Sequence, residues 1–101
     1  MATSKWNDDR VAWEPSLVKS GDRVIITYQG LLKNSGASEV YLHYGADGWK
    51  NPSTVMMKRD RGGAFSAEIP AKADHELNFC FKDALNNWDN NSGWNWKVNV
   101  T

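Results

Sequence analysis

From Glu76 to Lys82 the chain sets Leu77, Phe79 and Phe81 against Asn78, Cys80 and Lys82, a two-residue alternation of apolar and polar side chains. A helix repeats its face every three or four residues, so this period fits only a pleated strand with one buried face and one wetted face. The pattern recurs along the chain. Val24, Ile26 and Tyr28 alternate with Arg23, Ile25 and Thr27; Val40, Leu42 and Tyr44 with Tyr41 and His43; Phe65, Ala67 and Ile69 with Ala64, Ser66 and Glu68. Trp94, Trp96, Val98 and Val100 oppose Asn95, Lys97 and Asn99, and two shorter β-prone runs lie at Val11-Ala12-Trp13 and from Thr54 to Lys58. Between these runs stand turn formers: Glu14-Pro15-Ser16, Ser20-Gly21-Asp22, Asn34-Ser35-Gly36, and Arg59 to Gly63, which reads as a hairpin turn. Gly30 to Ser38 and Gly45 to Pro52 read as connecting loops. No segment longer than a few residues carries the helical period. About seven short strands in a chain of 101 residues predict an all-β, immunoglobulin-like antiparallel β-sandwich.

That length buries a single core and no more, so residues 11–101 are expected to form one sandwich module behind a loose polar segment at residues 1–10. Twelve basic and twelve acidic residues cancel, which argues against a polyanionic partner or an anionic membrane surface. No apolar run approaches the roughly 20 residues of a bilayer span, and no basic-then-apolar signal pattern opens the chain. The lone cysteine, Cys80, cannot form an internal disulfide or a metal cluster, and reads as a small packed residue.

The aromatic content is unusual: six of the residues are tryptophan. Trp13 lies in a terminal strand and Trp94 and Trp96 share a face with valines, so all three are expected to pack; Trp6 lies in the leading segment. Trp49 and Trp88 differ. His43-Tyr44-Gly45-Ala46-Asp47-Gly48-Trp49 and Trp88-Asp89-Asn90-Asn91-Ser92-Gly93 each place an indole among residues that favour turns. One alternative is that these rings fold back to cap the open end of the sandwich. Together, flanked by amides and carboxylates, they instead suggest a stacking surface for a ligand that carries hydroxyls. A pyranose fits this, because indole covers its C–H face while Asn and Asp bond its rim. Single-stranded nucleic acid also stacks on tryptophan, but it needs a cationic groove, and the region from Asp83 to Gly93 has two acids and no base.

Catalysis and metal binding find little support. Carboxylates such as Asp47 and Asp89 could form a glycosidase pair in principle, but no deep cleft is expected in so small a sandwich. Asp89 to Gly93 faintly matches the start of a calcium loop without its spaced acids or closing Glu. His43 and His75 lack the spacing of a zinc pair, and no nucleophile elbow, phosphate loop or dinucleotide fingerprint is present. The expectation is a binding module with no catalytic residue, metal or cofactor; a protein-interaction sandwich using the same loops and a small hydrolytic domain are the other two classes.

Val40 to Gly45 running into Asp47-Gly48-Trp49, then Leu77-Asn78-Phe79 through Asp83, then Asn87-Trp88-Asp89-Asn90-Asn91 and Asn95-Trp96, resembles the family 25 carbohydrate-binding modules. The resemblance spans roughly Val11 to Val100. It implies a non-catalytic starch-binding domain tethered to an extracellular amylase, monomeric, with α-1,4-glucans as partner. It places His43, Trp49 and Trp88 in the site, with Asn90 and Asn91 where polar contacts to glucose hydroxyls fall. It also implies two rings set at an angle, since an α-1,4 glucan curls. Where the family often has Asn-Tyr, this chain has Asn95-Trp96.

Overall fold

The computed structural model describes residues 10–15, 17–30, 32, 36, 38–59, 62–90 and 95–101. Among these residues nine strands follow in chain order: β1 Val11–Glu14, β2 Arg23–Tyr28, β3 Val40–Ala46, β4 Lys50–Met56, β5 Lys58–Arg59, β6 Phe65–Pro70, β7 Glu76–Asp83, β8 Trp88–Asp89 and β9 Trp96–Asn99. They form two antiparallel sheets. One runs β1-β2-β6-β5. The other runs β4-β3-β7-β8, with β9 also pairing β7. The expected sandwich is the fold found, with two more strands than the alternation alone suggests. No helix among the described residues is long and apolar enough to cross a membrane.

The alternation sets the core. Val24, Ile26 and Tyr28 of β2, Val40 and Leu42 of β3, Phe65 and Ile69 of β6, and Leu77, Phe79 and Phe81 of β7 are all buried between the sheets. Phe79 and Phe81 meet edge to face at 5.9 Å, and Tyr28 stacks on Phe81 at 4.1 Å. Truncating either phenylalanine to alanine would cost about 3–5 kcal/mol, a large share of a small domain's stability. Trp96 is buried against Phe79, and Trp13 meets Phe79 edge-on, so both pack as expected. Trp6 and Trp94 lie outside the described residues, as do residues 1–9 of the expected leading segment.

Two loop assignments are corrected. The Gly45 to Pro52 loop shrinks to a turn at residues 47–49, because Lys50 already pairs with Ala46 in β4. β4 is an edge strand, where Pro52 removes no ladder bond that a neighbour needs. Trp88-Asp89, read as a turn, is instead the short strand β8, pairing Trp88 with Lys82 and Asp89 with Phe81. Tertiary pairing overrides the turn propensity of Asp and Asn here. At Met57 the chain leaves one sheet for the other, with the Met57 N–H donating to the Val40 carbonyl at 2.9 Å.

Candidate functional site: a crossed pair of indoles

The site lies on the outer face of the sheet centred on β3 and β7. Val40 and Leu42 point inward, so the intervening Tyr41 and His43 must point outward. Across the sheet His43 faces Thr54 on one side and Cys80 on the other; Tyr41 faces Lys82, which in turn faces Trp88. The His43 ring is fixed by a 2.7 Å hydrogen bond between Nδ1 and the Thr54 hydroxyl.

Both predicted indoles meet this histidine. Trp49 stacks on it with ring centroids 5.6 Å apart and planes 22° from parallel. Trp88 meets it at 5.5 Å with planes at 82°. The two indole planes therefore cross at no less than about 60°, the difference of those angles. Trp88 is 45% exposed and Trp49 half-buried, so neither ring lies inside the core. Lys82 borders the cluster, its ammonium 4.8 Å from the Tyr41 ring and 5.9 Å from that of Trp88.

The turn that carries Trp49 is unusual. Asp47, Gly48 and Trp49 all have left-handed backbone, with φ of 49°, 88° and 70°. A bulky residue adopts that region only when its surroundings hold it there. Three features hold it. The Asp47 carboxylate accepts the backbone N–H groups of Asp74, His75 and Glu76 at 3.0, 2.7 and 3.1 Å. The Asn78 side-chain carbonyl accepts the N–H groups of Gly48 and Trp49 at 2.9 and 3.1 Å. Gly45 lies so close that a Cβ there would stand 2.9 Å from the Trp49 Cα.

A second carboxylate steadies the approach to Trp88. Asp83 accepts the N–H groups of Leu85 and Asn87, each at 2.9 Å, and the Asn87 side-chain amide at 2.8 Å. Both carboxylates are held below the usual range, Asp47 chiefly by the N–H groups of Asp74 and His75, Asp83 chiefly by the amide and N–H of Asn87.

Asp89 is turned away from the surface. It is buried and accepts the Tyr28 hydroxyl at 2.6 Å. Asp47 and Asp89 are therefore committed to donors of the protein itself, a correction to their expected place at a sugar's rim. The pair also loses its standing as acid and base, since each carboxylate has a structural task, Asp47 in the turn after β3 and Asp89 in β8. The inward turn of Asp89 likewise removes the first acid of the faint calcium loop, whose residues 91–93 lie outside the described part. Among the described residues no three His, Cys, Asp or Glu side chains gather as a metal site. Cys80, across the sheet from His43, is buried, and burial, then the charge of Asp89, pushes its thiol up to about 11.

Of the other candidates, Asn90 is exposed at the end of β8, where its carbonyl accepts the Asn95 N–H at 2.7 Å. Asn91 lies outside the described residues. Trp96, which follows Asn95 in sequence, is turned inward as expected. Sequence reasoning missed Tyr41, Lys82, Thr54 and Asn78. Alternation put Tyr41 and Lys82 on the same outer face as His43, a signal that was available. The roles of Thr54 and Asn78 depend on register across strands, which nothing local encodes.

The shelf of exposed rings, beside Asp47, Asp83 and Asp89 carboxylates bonded to the protein's own donors, is a ligand-holding surface, and the family that the sequence matches is one of non-catalytic carbohydrate-binding modules. The family model of the starch/carbohydrate-binding modules of family 53 matches residues 24–79, more than half of the sequence. The chain belongs to that family. An α-amylase of Clostridium acetobutylicum is 40% identical over 92 residues, which are 90% of this chain and 12% of that enzyme. The chain thus corresponds to a small part of its relative's length. No solved structure matches it. The resemblance to family 25 is corrected to family 53; the starch-binding class it implied stands.

Proposed function

We propose that the module binds α-1,4-linked glucans, from maltooligosaccharides to granular starch, by stacking successive glucose units on Trp49 and Trp88. The observation that carries this is the crossing of the two indole planes at about 60° or more. Coplanar rings suit a flat chain such as cellulose; crossed rings suit a chain that turns from one unit to the next. His43 sits between them. With Nδ1 engaged by Thr54, its Nε2 is the atom left to meet a hydroxyl at the junction of two glucose units. Asn90 and Asn91 supply polar contacts to the rim in this reading.

Burying one indole face contributes about 1–2 kcal/mol and each neutral hydrogen bond about 1 kcal/mol, against a substantial cost of association. A dissociation constant on the order of micromolar to millimolar follows. That strength suits a tether rather than a trap. Similarity to a segment of an α-amylase supports a module joined to an amylolytic enzyme; in this reading it acts as a monomer, outside the cell, on insoluble substrate. Its contribution there is effective concentration, which short linkers raise to about millimolar.

Titration with maltoheptaose and with cellohexaose, followed by tryptophan fluorescence, tests the reading. A saturable response to the first alone is expected. Equal responses, or none to either with binding to a protein partner instead, would overturn it.

A further inference from the structure

Asn78 stands at a position where its burial needs an explanation. Alternation along β7 turns it to the outer face, yet it is only 7% exposed. What covers it is the Trp49 turn. Asn78 lies directly across from Gly45, and the missing side chain at Gly45 lets residues 47–49 curl back over that pair. A Cβ at Gly45 would meet the Trp49 Cα, its carbonyl carbon and Cε3 at 2.9, 3.1 and 3.2 Å.

Both polar atoms of the Asn78 side chain are engaged. Two backbone N–H groups, of Gly48 and Trp49, converge on one side-chain atom at 2.9 and 3.1 Å, which identifies that atom as the carbonyl oxygen. The amide nitrogen then donates to Glu76 at 2.8 Å, and the other oxygen of that carboxylate lies 3.8 Å from the Lys97 ammonium. A buried amide so engaged is costly to disturb, because removing its oxygen strands two donors at once. One of those donors belongs to the residue held at φ 70°.

We propose that Asn78, together with Asp47, is the positioning residue of the glucan site: it holds Trp49 in its left-handed backbone so that the indole is stacked on His43 before ligand arrives. This rests on the reading of Trp49 as a glucose platform. It makes Asn78 a determinant of affinity though it touches no sugar. Without the cradle the turn relaxes toward ordinary backbone, and the cost of re-forming the crossed rings falls on binding.

The test reads geometry and affinity separately. The chain has two histidines, so the imidazole carbon-bound protons of His43 and His75 give two resolvable sets of NMR resonances, assigned with His75→Gln. Stacked on Trp49, the His43 set is displaced by the indole ring current. In Asn78→Leu, which keeps the bulk and removes the acceptor, the His43 set moves back toward its unstacked position while His75 stays, and the maltoheptaose dissociation constant rises at least tenfold. Asn78→Asp combined with Glu76→Gln keeps the acceptor without facing carboxylates, and restores both readings. A folded Asn78→Leu protein with unmoved His43 resonances overturns the proposal. If Asn78→Leu does not fold, Asp47→Ala on the exposed turn takes its place: displaced His43 resonances support the proposal and unmoved ones overturn it. Lost His43 stacking with undiminished affinity, in a protein whose Trp49→Ala variant also binds normally, upholds the cradle and overturns the glucan reading of Trp49.

Discussion

The Tyr28 hydroxyl donates to the Asp89 carboxylate at 2.6 Å, joining a core tyrosine of one sheet to the residue beside the exposed indole of the other. The same hydroxyl accepts the Leu32 N–H at 3.0 Å, and Gly30 is pressed so close that a Cβ would stand 2.6 Å from the tyrosine ring. Burial, then the bond to Asp89, keeps the phenol well above its usual range, so it remains a donor at any physiological pH. Tyr28→Phe removes a donor from a buried carboxylate and is expected to destabilise the domain by about 1–3 kcal/mol. Urea unfolding measures it. Maltoheptaose affinity should change far less than in Trp88→Ala, because the ring platforms remain.

Trp49→Ala and Trp88→Ala should each abolish detectable retention on granular starch. Neither ring is part of the core, so the cooperative thermal transition should stay within a few degrees of the parent's. Retention by both variants, measured by pull-down with the unfolding curve as control, would remove these residues from the site.

Gly45→Ala tests the close approach between β3 and the Trp49 turn. The added methyl meets backbone, which cannot swing aside as a side-chain tip can, so the turn must shift. Overpacking of this kind costs about 1–3 kcal/mol. The expected result is a folded protein with at least tenfold weaker maltoheptaose binding, read by fluorescence titration.

Acid should loosen the two clamped turns. Asp47 and Asp83 have folded pKa values below their unfolded value of about 4, so each adds stability above that pH and loses it as pH falls through the folded value. The thermal midpoint should hold between about pH 5 and 7 and fall below about pH 4. Asp47→Asn and Asp83→Asn should each flatten that acid limb; an unchanged slope in both would show that the carboxylates matter little as charges.

The sequence by itself settled which residues face inward. A period of two depends only on the pleat, so Val24, Leu42, Phe65, Phe79 and Phe81 could be placed in the core, and His43 outside it, before any strand was paired. It also singled out Trp49 and Trp88, since an indole among turn residues is conspicuous without a fold. Their arrangement was not legible. Asp47 finds its partners 27 to 29 residues away, Asn78 finds Gly48 and Trp49 at 30 and 29, and Asp89 finds Tyr28 at 61. Local propensity assigned both aspartates and both indoles to turns; only strand register decided that Asp89 turns inward and Trp88 outward from β8. Register is fixed by packing across the whole sheet, and a hydrogen bond is fixed by where two distant strands come to rest, so the angle between the rings belongs to the tertiary structure alone.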